Sequence, residues 1–139
     1  MTAQIIDGTA IAQKVRDEVK EKVAKRLADG KSQPGLATVL VGDRIDSATY
    51  VTMKQKACAE LGMTSYHHPT PADITQEDLE KLIKELNADP KVHGILVQLP
   101  LPSHLDEERV LQLISIEKDV DGFSPINIGR LAQKGREPL

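Results

Sequence analysis

Tyr50 and Lys54 stand four apart in the stretch "YVTMK", a spacing that brings two side chains onto one face of a helix. One carries a hydroxyl, the other an amine able to hold or release a proton. Such a pair is either decoration on a wet surface or the working part of a site, and spacing alone favours decoration. The surroundings decide. The apolar run "LATVLV" (36–41) delivers the chain through a polar turn to Ser47, Tyr50 and Lys54, and a second run, "HGILVQ" (93–98), ends at Gln98. In an open parallel α/β sheet, ligands sit in the crevice outside the carboxyl ends of the strands. Lys54 and Gln98 are therefore expected to meet there, and the acidic turn "EKDVDGFSP", with Asp119 and Asp121, follows a helix that can return it nearby.

Each residue also has a plainer reading. Gln98 at a strand end can satisfy loose backbone groups, the two aspartates can brace a turn that contains Gly122, and Ser47 can cap a helix. The four histidines (67, 68, 93 and 104) form no metal-ligand pattern, and none is spaced for a nucleophilic triad. A Tyr-x-x-x-Lys pair also resembles the short-chain dehydrogenases, but "VGDRIDS" lacks the G-x-G-x-x-G spacing that cradles a pyrophosphate.

The elements that must position these residues follow from periodicity. Ile11, Val15, Val19, Val23 and Leu27 recur every four residues, which predicts an amphipathic helix over 9–29, capped by Asp7 or Thr9 and stopped by Gly30. Residues 36–41 read as a buried strand. The next helix is expected to start at Asp46 or Ser47 and to end at Gly62. "MTSYHH" (63–68) is a weaker, edge-like strand. Thr75 opens a third helix with Leu79, Leu82, Ile83 and Leu86 on its apolar face. Strand 93–98 is cut off by Pro100 and Pro102, a helix follows over 106–114, and a short one lies near 126–133. Strands alternating with helices predict a three-layer α/β domain, a small, mostly parallel sheet flanked by helices.

Composition excludes several classes. The 139 residues carry a net charge of −3 with dispersed acidic groups, so no basic stripe offers a footprint for nucleic acid. One cysteine, Cys58, cannot form an internal disulfide. The start "MTAQIIDGTA" has no secretory pattern and no apolar stretch reaches membrane-spanning length, which reads as a cytoplasmic chain with no membrane partner.

Taken together, "VGDRIDSATYVTMKQKACAELGM", "HGILVQLPLP" and "KDVDGFSPINIGRLA" closely resemble the bifunctional methylenetetrahydrofolate dehydrogenase/methenyltetrahydrofolate cyclohydrolase family, in its order and over essentially the whole chain. One departure is "DRIDS", where many bacterial members carry a Pro-Ala pair before the serine. The resemblance implies a folate-binding catalytic domain over 1–135 and, at 136–139, the start of a linker to a Rossmann-type domain absent from this chain. The NADP or NAD site belongs on that absent domain, and no metal is implied. The full-length enzyme is expected to be a homodimer acting on tetrahydrofolate derivatives. Loss of the second domain is expected to leave an apolar patch near the C-terminal end.

The resemblance also assigns roles. The family interconverts 5,10-methylene-, 5,10-methenyl- and 10-formyltetrahydrofolate, and water addition to the methenyl carbon needs a group that takes and returns protons. Lys54 is that group by resemblance. With a reference pKa of about 10.4, only roughly one lysine in a thousand is neutral at about pH 7.4, so a crevice that withholds solvent must help. Tyr50 would lie beside the folate, and Gln98 would hold the lysine nitrogen through its carbonyl oxygen without adding charge. Asp121 would accept the paired N–H donors of the pterin edge, Leu99 and Pro100 would wall the ring, and Ser47 would cap the helix and touch the site. The alternative is a folate-binding fragment without significant turnover.

Overall fold

The computed structural model describes residues 5–133; the linker start expected at 136–139 lies outside them. The period-four segment folds as α1 (Gly8–Ala28), and Asp7 caps it, its carboxylate accepting from the Thr9 and Ala10 amides at 3.0 Å. Gly30 follows at φ +72°, the left-handed geometry that ends helices. Then come β1 (Gly35–Val41), α2 (Ile45–Glu60), β2 (Thr64–Thr70), α3 (Gln76–Ala88) and β3 (Gly94–Val97). Helix α4 (Glu107–Leu113), a 3-10 turn (Ile116–Lys118) and α5 (Pro125–Ala132) are the last elements among the described residues. Thr75 caps α3 as expected, accepting from the Asp78 amide at 3.1 Å.

One boundary differs from expectation. Helix α2 begins at Ile45, with Arg44 in the cap position and no side-chain cap bond. Gly42 turns the chain at φ +76°, so helical geometry is reached before Asp46 and Ser47. Ser47 lies inside the first turns and is buried; it is not the cap.

The sheet order is β2-β1-β3 and every pairing is parallel. Ala37, Val39 and Val41 of β1 join Ile95 and Val97 of β3 in a core with Leu79, Ile83 and Leu86 of α3 and Val110 of α4. The alternate residues Thr38, Leu40 and Leu96 are buried as well, and α2 packs on β1 and β2. Continuous burial along β1 is what helices on both faces require, since a sheet with one wet face alternates. Helix α1 buries only Val23 of its stripe, while Ile11, Val15 and Leu27 stay largely exposed.

Helices α3 and α4 are joined by a buried carboxylate. Glu80 accepts from Arg109 Nε at 2.6 Å and Nη2 at 3.2 Å, and from Gln76 Nε2 at 2.9 Å. The Gln76 hydrogen bond leads in holding its carboxyl below the usual glutamate range; burial opposes it, and the charges of Arg109 and Lys84 add to it. Glu80 is therefore easier to ionise folded than unfolded, so its contribution is complete at neutral pH and is lost as pH falls through the carboxylate range. Glu80→Gln is expected to lower the melting temperature at pH 7, with a gap to the parent that narrows on acidification toward about pH 4. Parallel melting curves across pH check this, and a gap independent of pH would contradict it.

Val120, Phe123, Ile126, Ile128 and Leu131, in the C-terminal stretch where an apolar patch is expected, are each about half exposed or more. Patches of this kind favour contact with other surfaces. Sedimentation of the chain at rising concentration should therefore show a mean mass climbing above the 15.2 kDa monomer, and a strictly monomeric profile at high concentration would contradict it.

Candidate active site

The residues expected in the site come from three places that the topology brings to the carboxyl end of the sheet. Helix α2 leaves β1 through the Gly42–Arg44 turn and crosses the sheet, burying Ser47, Val51 and Cys58 beneath it. Tyr50 and Lys54 lie beside that stripe. Tyr50 is 60% exposed and Lys54 is half-buried. Burial raises the Cys58 thiol above its ordinary value, so it stays a thiol that packs.

From β3 comes Gln98. Its amide donates to Val39 O at 2.9 Å, and its side-chain nitrogen donates to Leu99 O at 3.0 Å. That leaves Oε1 to accept from Lys54 Nζ at 3.1 Å. The structure thus joins Lys54 to Gln98 across 44 residues of sequence.

The third contributor is the turn after Lys118. Its first residue, Asp119, bridges to Ile95 of β3. A side chain at Gly94 would come within 2.5 Å of Val120 Cγ1, so a glycine is what lets this turn lie against the strand. Asp119 is the brace: its carboxylate accepts from the Gly122, Phe123 and Ser124 amides at 3.0, 3.2 and 2.8 Å and from Asn127 Nδ2 at 3.0 Å. Asp121 is left free of that role and exposed. Crowding around its carboxyl raises it above the ordinary aspartate value, the Lys54 charge pulls it back down, and the Asp119 charge pushes it up further. Lys54, Gln98 and Asp121 share one electrostatic neighbourhood.

The remaining predicted residues divide. Pro100 is exposed and lines a concavity of about 290 Å³ with Val41, Gly42, Arg44 and Ala72. Leu99 is half-buried and packs against the core. Ser47 is buried within the first turns of α2. A second, more open concavity of about 450 Å³ adjoins the first, between Gly42 and the Pro69–Ala72 segment. Both are lined by residues that follow the strand ends, and neither is lined by Lys54 or Gln98.

Two supporting residues of this region were not singled out from the sequence. Lys118 Nζ donates to the carbonyls of Leu86, Asn87 and Asp89 at 3.1, 2.7 and 2.9 Å, closing the end of α3 and fixing where the acidic turn begins. Asn127, 1% exposed, reaches Asp119 from α5. No local spacing marks either one.

Comparison with known proteins follows the same geometry. The model of the tetrahydrofolate dehydrogenase/cyclohydrolase catalytic domain matches residues 6–121. Bifunctional protein FolD 2 of Arabidopsis thaliana is 56% identical over 138 residues, which are 99% of this chain and 46% of that protein. Bifunctional protein FolD of Moorella thermoacetica is 56% identical over 131 residues, 94% of this chain and 46% of that one. The FolD methylenetetrahydrofolate dehydrogenase/cyclohydrolase of Campylobacter jejuni superposes with a TM-score of 0.88 at 45% identity, over 94% of this chain and 47% of that one. The Trypanosoma brucei enzyme, solved with NADP and an inhibitor, gives 0.90 at 41% identity, over 99% of this chain and 47% of that one. The chain spans about half the length of the curated relatives it matches. With its parallel sheet, strand-end residues and matched catalytic-domain segment in agreement, the chain belongs to the tetrahydrofolate dehydrogenase/cyclohydrolase family.

Proposed function

We propose that this chain supplies the folate site and the catalytic lysine for interconversion of 5,10-methylene-, 5,10-methenyl- and 10-formyltetrahydrofolate. The observation that carries the reading is the 3.1 Å bond from Lys54 Nζ to Gln98 Oε1 at the carboxyl ends of β1 and β3. A neutral partner holds the nitrogen in place and leaves it able to give up a proton, whereas a carboxylate there would favour the ammonium form. In the hydrolytic direction water adds to the methenyl carbon and forms a C–O bond. Lys54 takes the first proton released and returns it to the ring nitrogen as the C–N bond breaks, while the remaining hydroxyl proton of the adduct passes to solvent as the C=O forms, leaving the 10-formyl product. Asp121 accepts the paired pterin donors; a carboxyl raised by partial burial beside the Lys54 charge is consistent with a binding role. Tyr50, exposed one turn before Lys54, offers a face and a hydroxyl to the reacting end, Leu99 and Pro100 form an apolar wall along the ring, and Ser47, buried in the first turns of α2, helps hold that helix against the rest of the fold.

The dehydrogenase half of the reaction uses NADP or NAD, and the residues described do not fit either. The β1–α2 turn has a single glycine, and Asp43 beside it would repel a pyrophosphate. The proposal places the nicotinamide site on a further domain, with residues 1–135 as the folate domain and 136–139 as linker. It also places the homodimer at the level of the longer enzyme and the reaction in the cytoplasm. No helix among the described residues is long and apolar enough to cross a membrane.

A cyclohydrolase assay following loss of the methenyl chromophore tests the reading. Lys54→Met is expected to lower turnover by roughly a hundredfold or more with folate binding kept, the usual scale for losing a general acid/base. Asp121→Ala should chiefly weaken binding, by about tenfold or more, because two donors lose their acceptor. A Lys54→Met chain that hydrolyses methenyltetrahydrofolate at the parent rate would return Tyr50 and Lys54 to surface decoration. A parent chain that binds folate without hydrolysing it would be a binding module. Separately, the 139-residue chain is expected to show no NAD(P)-dependent oxidation of methylenetetrahydrofolate; a rate near that of whole enzymes overturns the placement of the nicotinamide site.

A further inference from the structure

Asn127 is polar, sits on α5 and is 1% exposed. Buried side-chain amides are kept where they are hydrogen-bonded, and this one donates to Asp119 Oδ2 at 3.0 Å and to Ile116 O at 3.3 Å. The other donors on that carboxylate are the amides of residues 122, 123 and 124. The chain thus touches β3 at Asp119, through its bridge to Ile95, passes through Asp121 and immediately folds back onto the Asp119 carboxylate. Gly122, at φ +69°, makes the reversal possible. Asp121 sits in the loop so closed, and Asn127 is the side-chain donor tying that loop to a helix.

Resting on the folate reading above, we infer that Asn127 is a positioning residue for the folate site: by fixing the Asp119 carboxylate from α5, it sets where Asp121 presents its own carboxylate to the pterin. Recognition by two parallel hydrogen bonds tolerates little displacement, so a turn that loses one of its four anchors should lose affinity, and do so through Asp121. The plainer role, an anchor that only holds α5 in place, predicts lower stability with unchanged affinity per folded molecule.

A double-mutant cycle separates the two. Tetrahydrofolate binding is measured by calorimetry for the parent chain, Asn127→Leu, Asp121→Ala and the double variant, each at a temperature where melting curves show it folded. Asn127→Leu, similar in volume and without a donor, should weaken binding by about tenfold in the parent and by much less once Asp121 is gone, the coupling expected of residues in one network. If Asn127→Leu does not fold, Asn127→Ser, too short to reach Oδ2, and Asp119→Asn enter the same cycle. Unchanged affinity for Asn127→Leu, or the same loss with and without Asp121, overturns the inference while leaving the folate reading intact. No effect of Asp121→Ala overturns the folate reading and this inference with it.

Discussion

One hydrogen bond sets the geometry on which the candidate site depends: the Gln98 amide donating to Val39 O at 2.9 Å, just beyond the last residue of β3. It ends β3 level with the exit of β1 and so places the Gln98 side chain beside α2, which β1 feeds. Parallel pairing is essential here. Antiparallel neighbours would send the two chain exits to opposite ends of the sheet, and Lys54 could not reach Gln98. The register of Leu36 to Val39 against Gly94 to Val97 is in turn held by burial on both faces, where a one-residue slip would exchange every side chain between layers.

The acidic turn depends on the same strand from its outer side. Gly94 admits Val120 and Ile95 bridges Asp119, so β3 organises Gln98 through its end and Asp121 through its flank. The two aspartates, separated only by Val120, divide the labour by geometry. Asp119 spends its lone pairs on backbone amides and Asn127, while Asp121 stays exposed and bears the raised carboxyl.

Much of this was legible in the residues. The strands and helices follow from apolar periodicity and from glycine and proline punctuation, because those signals act within a few positions. Lys54 and Gln98 could be placed together because strand-end exits in a parallel sheet share one crevice. The α2 cap was misplaced since Asp46 and Ser47 are good capping types, and a turn already completed at Gly42 leaves them inside the helix. Leu99, expected as a wall with Pro100, is half-buried against the core, because the facing of a residue just past a strand is set by the bend that follows. Lys118 and Asn127 were missed as supports for a further reason: their partners are carbonyls and a carboxylate of other elements, and no local spacing announces such a bond.

The described sheet has two margins, and neither invites a foreign strand. Along β2 the backbone groups of alternate residues point outward; Thr64, paired to Pro34 O, and Thr70, paired to the Gly42 amide, point in. Pro69 therefore falls on the outward set and brings no N–H, which leaves that margin a poor template. The margin of β3 is four residues long and already occupied at Ile95 by Asp119. Strand addition, the route to fibrous aggregates, is thus obstructed on both sides. The same contact that steadies the acidic turn doubles as protection against amyloid-like stacking.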